Sequence, residues 1–426
     1  MKYKSISKDI AIIAILALCM AIGSYLISGW LNDQMQNTLV WVSDRWFDAD
    51  IDRIYLLMTD RLSDGHDRSS THPLFSIIAY QTMQAMTSIL GIGPPRALRL
   101  IIAISAALWI VCLYSTMRLI DCKKFDATVF SILAASSSSS IFWFAVPETF
   151  AMGSISILVS LVFIAFTRFR KINWIWYIPL NIFTLSITIT NWMAGITVTY
   201  IKLPFRKFIF TSVLALTVVL CLWLIQSAMF PYAHQLIPNE SRFMLTAAAG
   251  GVLNSMKAIF AHSMIAPALL LRGGGVILSF QGAALGSGSV WGAIALIPWI
   301  LLLCLGVRSF FIAHIDPSFR LALVIILVSQ VILHLIYGNE TFLYSLHFLP
   351  LIIIFASLTT LTRYRKVALV LALLLIPLAF MNNGAQFKKS GICLGKLRLQ
   401  KALSEDEQKT LKHSPMGFDS KYRCGI

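Results

Sequence analysis

Charged side chains are scarce in this chain of 426 residues. Asp, Glu, Lys and Arg together make up 13% of the sequence, whereas hydrophobic residues make up 58%. The mean hydropathy of +0.77 lies far above that of soluble globular domains. Several apolar runs approach or exceed the roughly 20 residues that a helix needs to cross a bilayer. The sequence therefore predicts an all-α polytopic membrane protein.

Several familiar site motifs are also missing. The seven cysteines are scattered and form no C-x-x-C pair, so a zinc or thioredoxin-type site has no support. The glycine-rich stretches "RGGG" (272–275) and "GSGS" (286–289) are not followed by Lys-Ser/Thr, which argues against a P-loop. The formal net charge is +16, but the basic residues fall in small sets between apolar runs. A nucleic-acid partner is therefore rejected.

The small basic sets predict the topology, because cytoplasmic loops of membrane proteins are enriched in Lys and Arg. If all sets share one side, an even number of crossings separates each from the next. If residues 74–92 also crossed the membrane, three crossings would separate Lys8 from Arg118 and place these two residues on opposite sides. We therefore interpret residues 74–92 as an amphipathic helix in the membrane interface. The sets are Lys2/Lys4/Lys8, Arg118/Lys123/Lys124, Arg168/Arg170/Lys171, Lys202/Arg206/Lys207, Arg308/Arg320 and Arg363/Arg365/Lys366.

This parity predicts about 10–11 transmembrane helices in a domain over residues 1–381. Two large extracytoplasmic regions are expected, at 30–97 and 230–290, and a polar tail at 382–426 is expected on the same side. The predicted spans are 10–29, 98–117, 127–145, 150–167, two halves of 173–203 split at 190–195, 207–229, 291–307, 320–337, 342–361 and 366–381.

The first outer loop holds 8 of the chain's 19 acidic residues. Asp48, Asp50 and Asp52 alternate in "WFDADIDR" (46–53), and three carboxylates so close repel one another unless cations relieve them. Arg45 and Arg53 flank the triplet and could do so. The structural alternative is that Asp50 or Asp52 is the N-cap of a helix beginning at "RIYLLMTDRL".

Three further residues are candidates for binding a phosphate. Arg68 could bind one bidentately, and His72, in "STHPLF" (70–75), could donate to it. Arg272 is among the few cations of the second outer region. The remaining outer polar groups lie on turns between helices, where we expect them to face a cavity. Glu340, Tyr344 and His347 are spaced i, i+4, i+7 and are predicted to share one helical face; the others are Glu148 and Asn191.

These motifs together resemble the GT-C class of membrane glycosyltransferases, which use polyprenyl-phosphate sugars as donors. The resemblance spans about residues 10–380 and depends on the order and common side of four short motifs. They are "WFDADIDR", "STHPLF", "VPETF" (146–150) and "YGNETFLYSLHF" (337–348). It implies a GT-C-like fold with amphipathic helices in the first outer loop and an aspartate of that loop as catalytic base.

The resemblance also implies a mechanism. One of Asp50, Asp48 and Asp52, with Asp50 favoured, deprotonates an acceptor hydroxyl, and the sugar is transferred with inversion. Arg68, His72 and Arg272 bind the donor phosphate. The sugar or acceptor pocket is assigned to Glu148, Asn191, Glu340, Tyr344 and His347.

The expected partners are a polyprenyl-phosphate-linked sugar, a glycan or lipid-linked acceptor, and membrane lipid, in a bacterial inner membrane with the site on the external side. No metal ligands are assigned, and a divalent cation is left open as a cofactor. A transporter or flippase of a lipid-linked sugar, or a polymerase of lipid-linked glycan units, remains as an alternative. If the tail is external, Cys393 and Cys424 share an oxidising compartment and could pair.

Overall fold

The computed structural model describes residues 6–34, 44–234, 243–245 and 249–410. Eight helices in these ranges are long and apolar enough to cross a membrane. The predicted all-α polytopic membrane protein is therefore confirmed at this level. One short antiparallel hairpin, β1 (Leu270–Arg272) with β2 (Ile277–Ser279), is the exception within the described ranges.

The helices follow the predicted order along the chain. The first group is α1 (Ile6–Gln34), α2 (Ile51–Thr59), α3 (Phe75–Leu90), α4 (Pro94–Leu119), α5 (Lys124–Ala135), α6 (Ser138–Trp143), α7 (Thr149–Phe166) and α8 (Tyr177–Ile187). The second group is α9 (Trp192–Lys202), α10 (Phe205–Met229), α11 (Val252–Lys257), α12 (Val290–Ile312), α13 (Pro317–Ile336), α14 (Ser345–Ser357) and α15 (Arg365–Thr410). Residues 74–92, expected to form an amphipathic helix, correspond to α3.

The basic loops meet at one end of the helical bundle, as a common side requires. Lys2 and Lys4 lie outside the described residues, but Asp9 near the start of α1 marks this end. Ion pairs join the loops to one another: Asp9 with Arg118 (2.9 Å) and Lys124 (3.8 Å), Asp121 with Arg168 (2.5 Å), Asp126 with Arg365 (2.6 Å), and Asp316 with Lys202 (4.0 Å). The acidic loop 44–74 lies at the opposite end.

The predicted helix 127–145 is broken in two at Ser136 and Ser137. Ser137 caps α6, because its hydroxyl accepts a hydrogen bond from the Ser140 N–H (3.1 Å). The Ser139 hydroxyl donates to the Ser263 carbonyl (2.8 Å). Serines that bond backbone groups outside their own helix favour a helix end over a helix interior. The span 127–145, predicted as continuous, is therefore interrupted at these serines, where α5 ends and α6 begins.

The last helix does not end at residue 381, as predicted, but continues to Thr410. Polar side chains beyond 381 are buried rather than solvated. Asn383 accepts a hydrogen bond from the Ala266 N–H and donates to the carbonyls of Ser136 and Met264 (all 2.8 Å). Gln386 donates to the Gly288 carbonyl (2.6 Å). These residues fasten the segment around 264–289 to the bundle.

The cysteines are consistent with the expected distribution as far as they are described. Cys393, on α15, is disulfide-bonded. Cys424, its predicted partner, lies outside the described residues. Cys19, Cys112, Cys122, Cys221 and Cys304 are free.

Replacement of Asn383 by Ala should destabilise the protein by about 2–4 kcal/mol, because it leaves buried backbone groups of two segments without partners. Thermal unfolding of the purified protein in detergent measures the effect. Lys389→Ala changes an exposed position of the same helix and should leave the melting temperature close to that of the wild type. Equal melting temperatures for Asn383→Ala and Lys389→Ala would contradict the role given to Asn383.

Candidate functional site

The acidic motif of the first loop is anchored by its two aromatic residues. Trp46 and Phe47 are fully buried. The Phe47 ring lies 4.6 Å from that of Phe280 and 5.4 Å from that of Phe342 between centroids. The backbone before them pairs with β2, since the Leu278 N–H donates to the Arg45 carbonyl (2.8 Å). The motif is therefore fastened to the second outer region and to the start of the segment leading into α14.

A tight turn then directs the carboxylates away from the aromatic rings. The Asp48 N–H donates to the Asp44 carbonyl (3.1 Å), and the Ala49 N–H donates to the Trp46 carbonyl (3.0 Å). Phe47 and Asp48 both have positive φ, 53° and 65°. This conformation is uncommon for an aspartate and strained for a phenylalanine. The turn places Phe47 in the core and Asp48 on the wall of a cavity.

The cavity has a volume of about 510 Å³. It lies between the first loop, the start of α7, the break between α8 and α9, the end of α13 and the start of α14. The structure brings seven of the eleven predicted site residues to its wall: Asp48, Asp50, Arg68, His72, Glu148, Tyr344 and His347. These residues are far apart in sequence, and the fold gathers them at one place.

Asp50 is the centre of a charge cluster. Its carboxylate is paired with the Arg53 guanidinium and lies 3.9 Å from that of Arg68. Burial opposes ionisation, but Arg53 and then Arg68 outweigh it and hold the pKa of Asp50 below its usual value. Asp50 does occupy the N-cap position of α2, yet its side chain makes no capping bond. The predicted relief of the acidic triplet by Arg53 is thus found in the structure.

Glu148 connects α7 to the acidic motif. One carboxylate oxygen accepts a hydrogen bond from the Asp50 N–H (2.9 Å), and the other accepts one from the Thr149 N–H (2.8 Å). Burial, reinforced by the negative charge of Asp50, raises the pKa of Glu148 to about 7. Glu148 therefore fixes the backbone of the motif while carrying a proton over much of the physiological pH range.

Asp48 differs from Asp50 in its electrostatic setting. Burial raises the pKa of Asp48, and the positive charge of Arg272 opposes this shift only in part, with Asp50 adding to the increase. A carboxylate with a raised pKa accepts protons more readily than one held by two arginines. Asp48 is thus the stronger base of the two.

His72 is held by the end of α8. Its Nδ1 lies 2.9 Å from the Ile187 carbonyl oxygen, which can only accept a hydrogen bond. The proton of a neutral ring therefore belongs on Nδ1, and Nε2 is left as an acceptor. Burial, followed by the positive charge of Arg53, lowers the pKa of His72 to about 4. The predicted donation to a phosphate does not fit a neutral His72 in this tautomer, because its only N–H is already used.

Four predicted residues lie outside the cavity wall. Asp52 is on the first turn of α2, and Asn191 is fully buried beside Gln330 (3.4 Å). Arg272 donates to the Asn339 carbonyl (2.9 Å) and lies 3.5 Å from the carboxylate of Glu340. Burial raises the pKa of Glu340 to about 7. Arg272 and Glu340 thus form a supporting pair behind the cavity.

The predicted common helical face of Glu340, Tyr344 and His347 is wrong. Residues Thr341–Tyr344 form a 3₁₀ turn, and α14 begins only at Ser345. Because a 3₁₀ turn has three residues per turn rather than 3.6, Glu340 is rotated away from the other two. It hydrogen-bonds instead to the Ser279 hydroxyl of β2. Tyr344 and His347 remain together on the cavity wall.

Several residues of the cavity wall were not predicted from the sequence. His334 and Tyr337 come from the end of α13, which was interpreted only as a span. Arg53 was considered only as a counter-charge, and Thr188 follows a helix end that periodicity does not mark. The apolar run around His334 offered one signal, since an ionisable residue inside a predicted span is itself a candidate for function.

A divalent cation was left open as a cofactor. Within the described ranges, no three His, Cys, Asp or Glu side chains are grouped as metal ligands. The carboxylates of Asp50 and Glu148 are instead engaged by a guanidinium and by backbone N–H groups. In the part of the chain that the structure describes, the carboxylates of the site therefore do not form a ligand set for a metal ion.

Comparison with known proteins identifies no relative: no protein-family model matches the chain, and no curated protein matches it.

The raised pKa of Glu148 predicts how the stability of the folded protein depends on pH. Below about pH 4.5 the Glu148 carboxyl group is protonated in both the folded and the unfolded state. As pH rises from 4.5 to 7 the unfolded chain ionises first, so stability falls, by about 3 kcal/mol in all for Glu148. Glu148→Gln should therefore weaken the decline of melting temperature between pH 5 and 7.5, with part of it remaining because Glu340 titrates similarly.

Melting curves of the two proteins in detergent across this range measure the difference. Asp64→Asn, at an exposed position of the first loop, is the control and should keep the full wild-type decline. A decline in Glu148→Gln as steep as in the wild type would show that Glu148 does not retain its proton in the folded state.

Proposed function

We propose that this protein is a membrane glycosyltransferase that moves a sugar from a polyprenyl-phosphate donor to a glycan or lipid-linked acceptor. The observation that carries the proposal is the composition of the cavity wall. It joins guanidinium groups suited to a phosphate with a carboxylate suited to deprotonating a hydroxyl. Both lie at one end of a bundle of apolar helices, where a lipid-linked substrate would enter from the membrane.

The phosphate half of the site comprises Arg53 and Arg68. Guanidinium groups bind phosphate oxygens through charge-assisted hydrogen bonds. Both face Asp50, whose carboxylate orients them at the cavity wall where a phosphate would bind. Arg68 also lies over the Phe243 ring at 5.5 Å. The negative charge that builds on the departing polyprenyl phosphate would be stabilised by the two arginines.

The base in this proposal is Asp48. It would take the proton from an acceptor hydroxyl as the hydroxyl oxygen bonds to the sugar's anomeric carbon. The bond from that carbon to the phosphate oxygen breaks, and the electron pair leaves with the polyprenyl phosphate. Attack opposite the leaving group inverts the anomeric carbon. We therefore assign the role of base to Asp48 rather than to Asp50, because the positive charges of Arg53 and Arg68 make Asp50 the weaker base.

The proposed architecture has eleven crossings. It counts the broken pair α5/α6 and the short helices α8 and α9 together with the eight long apolar helices. The short basic loops at one end then face the cytoplasm, by the excess of Lys and Arg that marks cytoplasmic loops. The cavity opens on the external side, and a bacterial inner membrane fits the resemblance noted from the sequence.

A transporter of a lipid-linked sugar is the second candidate. His334 is buried within α13 and bonded to Gln330 (3.1 Å), and ionisable groups inside spanning helices are typical of transporters. A polymerase of lipid-linked glycan units would share the proposed chemistry. Incubation of the purified protein with a synthetic polyprenyl-phosphate sugar distinguishes transfer from movement, because only a transferase releases the polyprenyl phosphate.

Asp48→Asn should lower transfer of a labelled sugar by about 10²–10⁴-fold, since it removes the general base. Asp50→Asn should weaken donor binding, seen in KM, because Arg53 and Arg68 lose the carboxylate that orients them. Asp64→Asn, in the same loop, should transfer at the wild-type rate. Near-normal transfer by Asp48→Asn together with loss in Asp50→Asn would assign the base to Asp50.

The sidedness is tested by labelling single introduced cysteines. Arg61→Cys lies at the cavity end and Arg170→Cys at the basic end, and both positions are exposed. A membrane-impermeant maleimide should label position 61 in intact cells and position 170 only after lysis. The reverse pattern would place the cavity on the cytoplasmic side and remove an external transferase from consideration.

A further inference from the structure

The floor of the cavity contains hydrogen-bonding groups without partners. His334 and His347 are 3% and 2% exposed, and both line the cavity. Nδ1 of His334 and both ring nitrogens of His347 have no hydrogen-bond partner. Buried polar groups in native structures are nearly always paired, so such a group at a cavity wall points to a ligand that completes it.

The tautomer of His334 is fixed by a hydrogen bond to the side chain of Gln330. Its Nε2 lies 3.1 Å from the Gln330 Oε1, and the Gln330 amide nitrogen donates to Asn191 Oδ1 (3.4 Å). In this arrangement Gln330 Oε1 accepts a hydrogen bond from the Nε2–H group, so Nδ1 of an uncharged His334 is an acceptor. A hydroxyl group can donate to it. Asn191, which the sequence suggested for the pocket itself, is a positioning residue that acts through Gln330.

His347 is confined by its neighbours. A Cβ atom at Gly153 would lie 2.5 Å from His347 Nε2 and 2.8 Å from Asn191 Nδ2. Glycine at this position therefore permits the imidazole to pack directly against α7. Nε2 of His347 therefore faces α7, and Nδ1 is the ring nitrogen left for the cavity. In an uncharged imidazole Nδ1 is a donor in one tautomer and an acceptor in the other.

Aromatic rings form the rest of the floor. The Tyr344 ring stacks on His334 at 4.5 Å and 16°, and Phe150 lies 5.0 Å from Tyr344 and 5.5 Å from His347 between centroids. Rings of this kind pack against apolar C–H groups, while the histidines satisfy hydroxyls. A ligand with both an apolar face and hydroxyls on its edge is required, and a sugar ring has both.

The floor also lacks fixed charge. All cavity-lining residues that the structure describes between 333 and 347 are uncharged side chains or histidines. The carboxylates and guanidiniums of the wall come instead from the first loop and from Glu148. A sugar carboxylate or ammonium group bound between His334 and His347 would have no opposite charge from the floor in contact with it, and burial of a charge without a contacting partner is strongly disfavoured.

We infer that His334, His347, Tyr344 and Phe150 form a subsite for an uncharged sugar ring, which excludes uronic acids and sugars with a free amino group. This inference rests on the proposed function for its substrate but is tested by binding alone. The subsite deepens the proposal by naming the class of sugar and the residues that select it.

The test is saturation-transfer NMR on the purified full-length protein in nanodiscs. The probes are the methyl glycosides of glucose, galactose, mannose and rhamnose, together with methyl glucuronide and methyl glucosaminide. At least one neutral glycoside should bind, and neither charged glycoside should. His347→Leu should weaken that binding by about tenfold, since it removes the hydrogen bonds to the sugar.

The controls separate binding from folding. His262 is also buried with both ring nitrogens unpartnered but is not part of the cavity wall, so His262→Leu should bind as the wild type does. If His347→Leu fails to fold, His334→Phe keeps the ring stack and removes the Nδ1 acceptor, and it should weaken binding similarly. Preference for a charged glycoside, binding of no neutral glycoside, or undiminished binding in the folded variants would overturn the inference.

The outcome is independent of the transfer assay. Neutral glycoside binding without transfer would leave the subsite in place and refute the transferase. Transfer of a charged sugar would retain the transferase and refute the subsite.

Discussion

The cavity depends on the burial of two neighbouring aromatic rings, Trp46 and Phe47. Loss of a buried ring of this size typically costs about 3–5 kcal/mol, whereas a residue held in an unfavourable backbone region costs about 1–3 kcal/mol. Burial of the Phe47 side chain is therefore sufficient to hold its positive φ. That strained turn is what directs Asp48 into the cavity while its neighbour stays in the core.

Once the turn is fixed, the carboxylates acquire different properties although they are chemically alike. Asp50 faces Arg53 and Arg68 and stays ionised. Glu148 is buried beside the negative charge of Asp50, and burial and this charge raise its pKa although the backbone N–H groups that bond to it oppose the shift. Asp48 lies between these extremes. Three neighbouring acidic groups therefore differ in their affinity for a proton, and the difference comes from the residues around each of them.

Much of the architecture could be predicted from the sequence, because hydropathy and the distribution of Lys and Arg are local signals. Apart from the end of α15, they located the long helices to within about five residues, and the ion pairs of Arg118, Arg168 and Arg365 agree with their common placement. The seven predicted residues on the cavity wall were found because polar groups between apolar runs are conspicuous.

The errors came from interactions between distant segments. The run at Ser136–Ser137 was taken as helix interior because its hydrogen bonds to residues near 263 are invisible in the sequence. The polar positions after 381 were taken as a solvated tail, although Asn383 and Gln386 pair with backbone more than 90 residues away. Glu340 was placed on a helical face because periodicity cannot distinguish a 3₁₀ turn from an α-helix. His334 was missed because a single polar residue hardly alters an apolar run.

The anchoring of the acidic loop has a consequence for biosynthesis. The loop is translated early, but Glu148, Phe280 and Phe342, which hold it, emerge roughly 100, 230 and 300 residues later. Chains are made at about 5–20 residues per second, so the nascent loop waits many seconds for its last contacts. Its dense charge would keep it hydrated and unentangled during this interval. The first long loop to leave the ribosome is thus among the last to reach its native form.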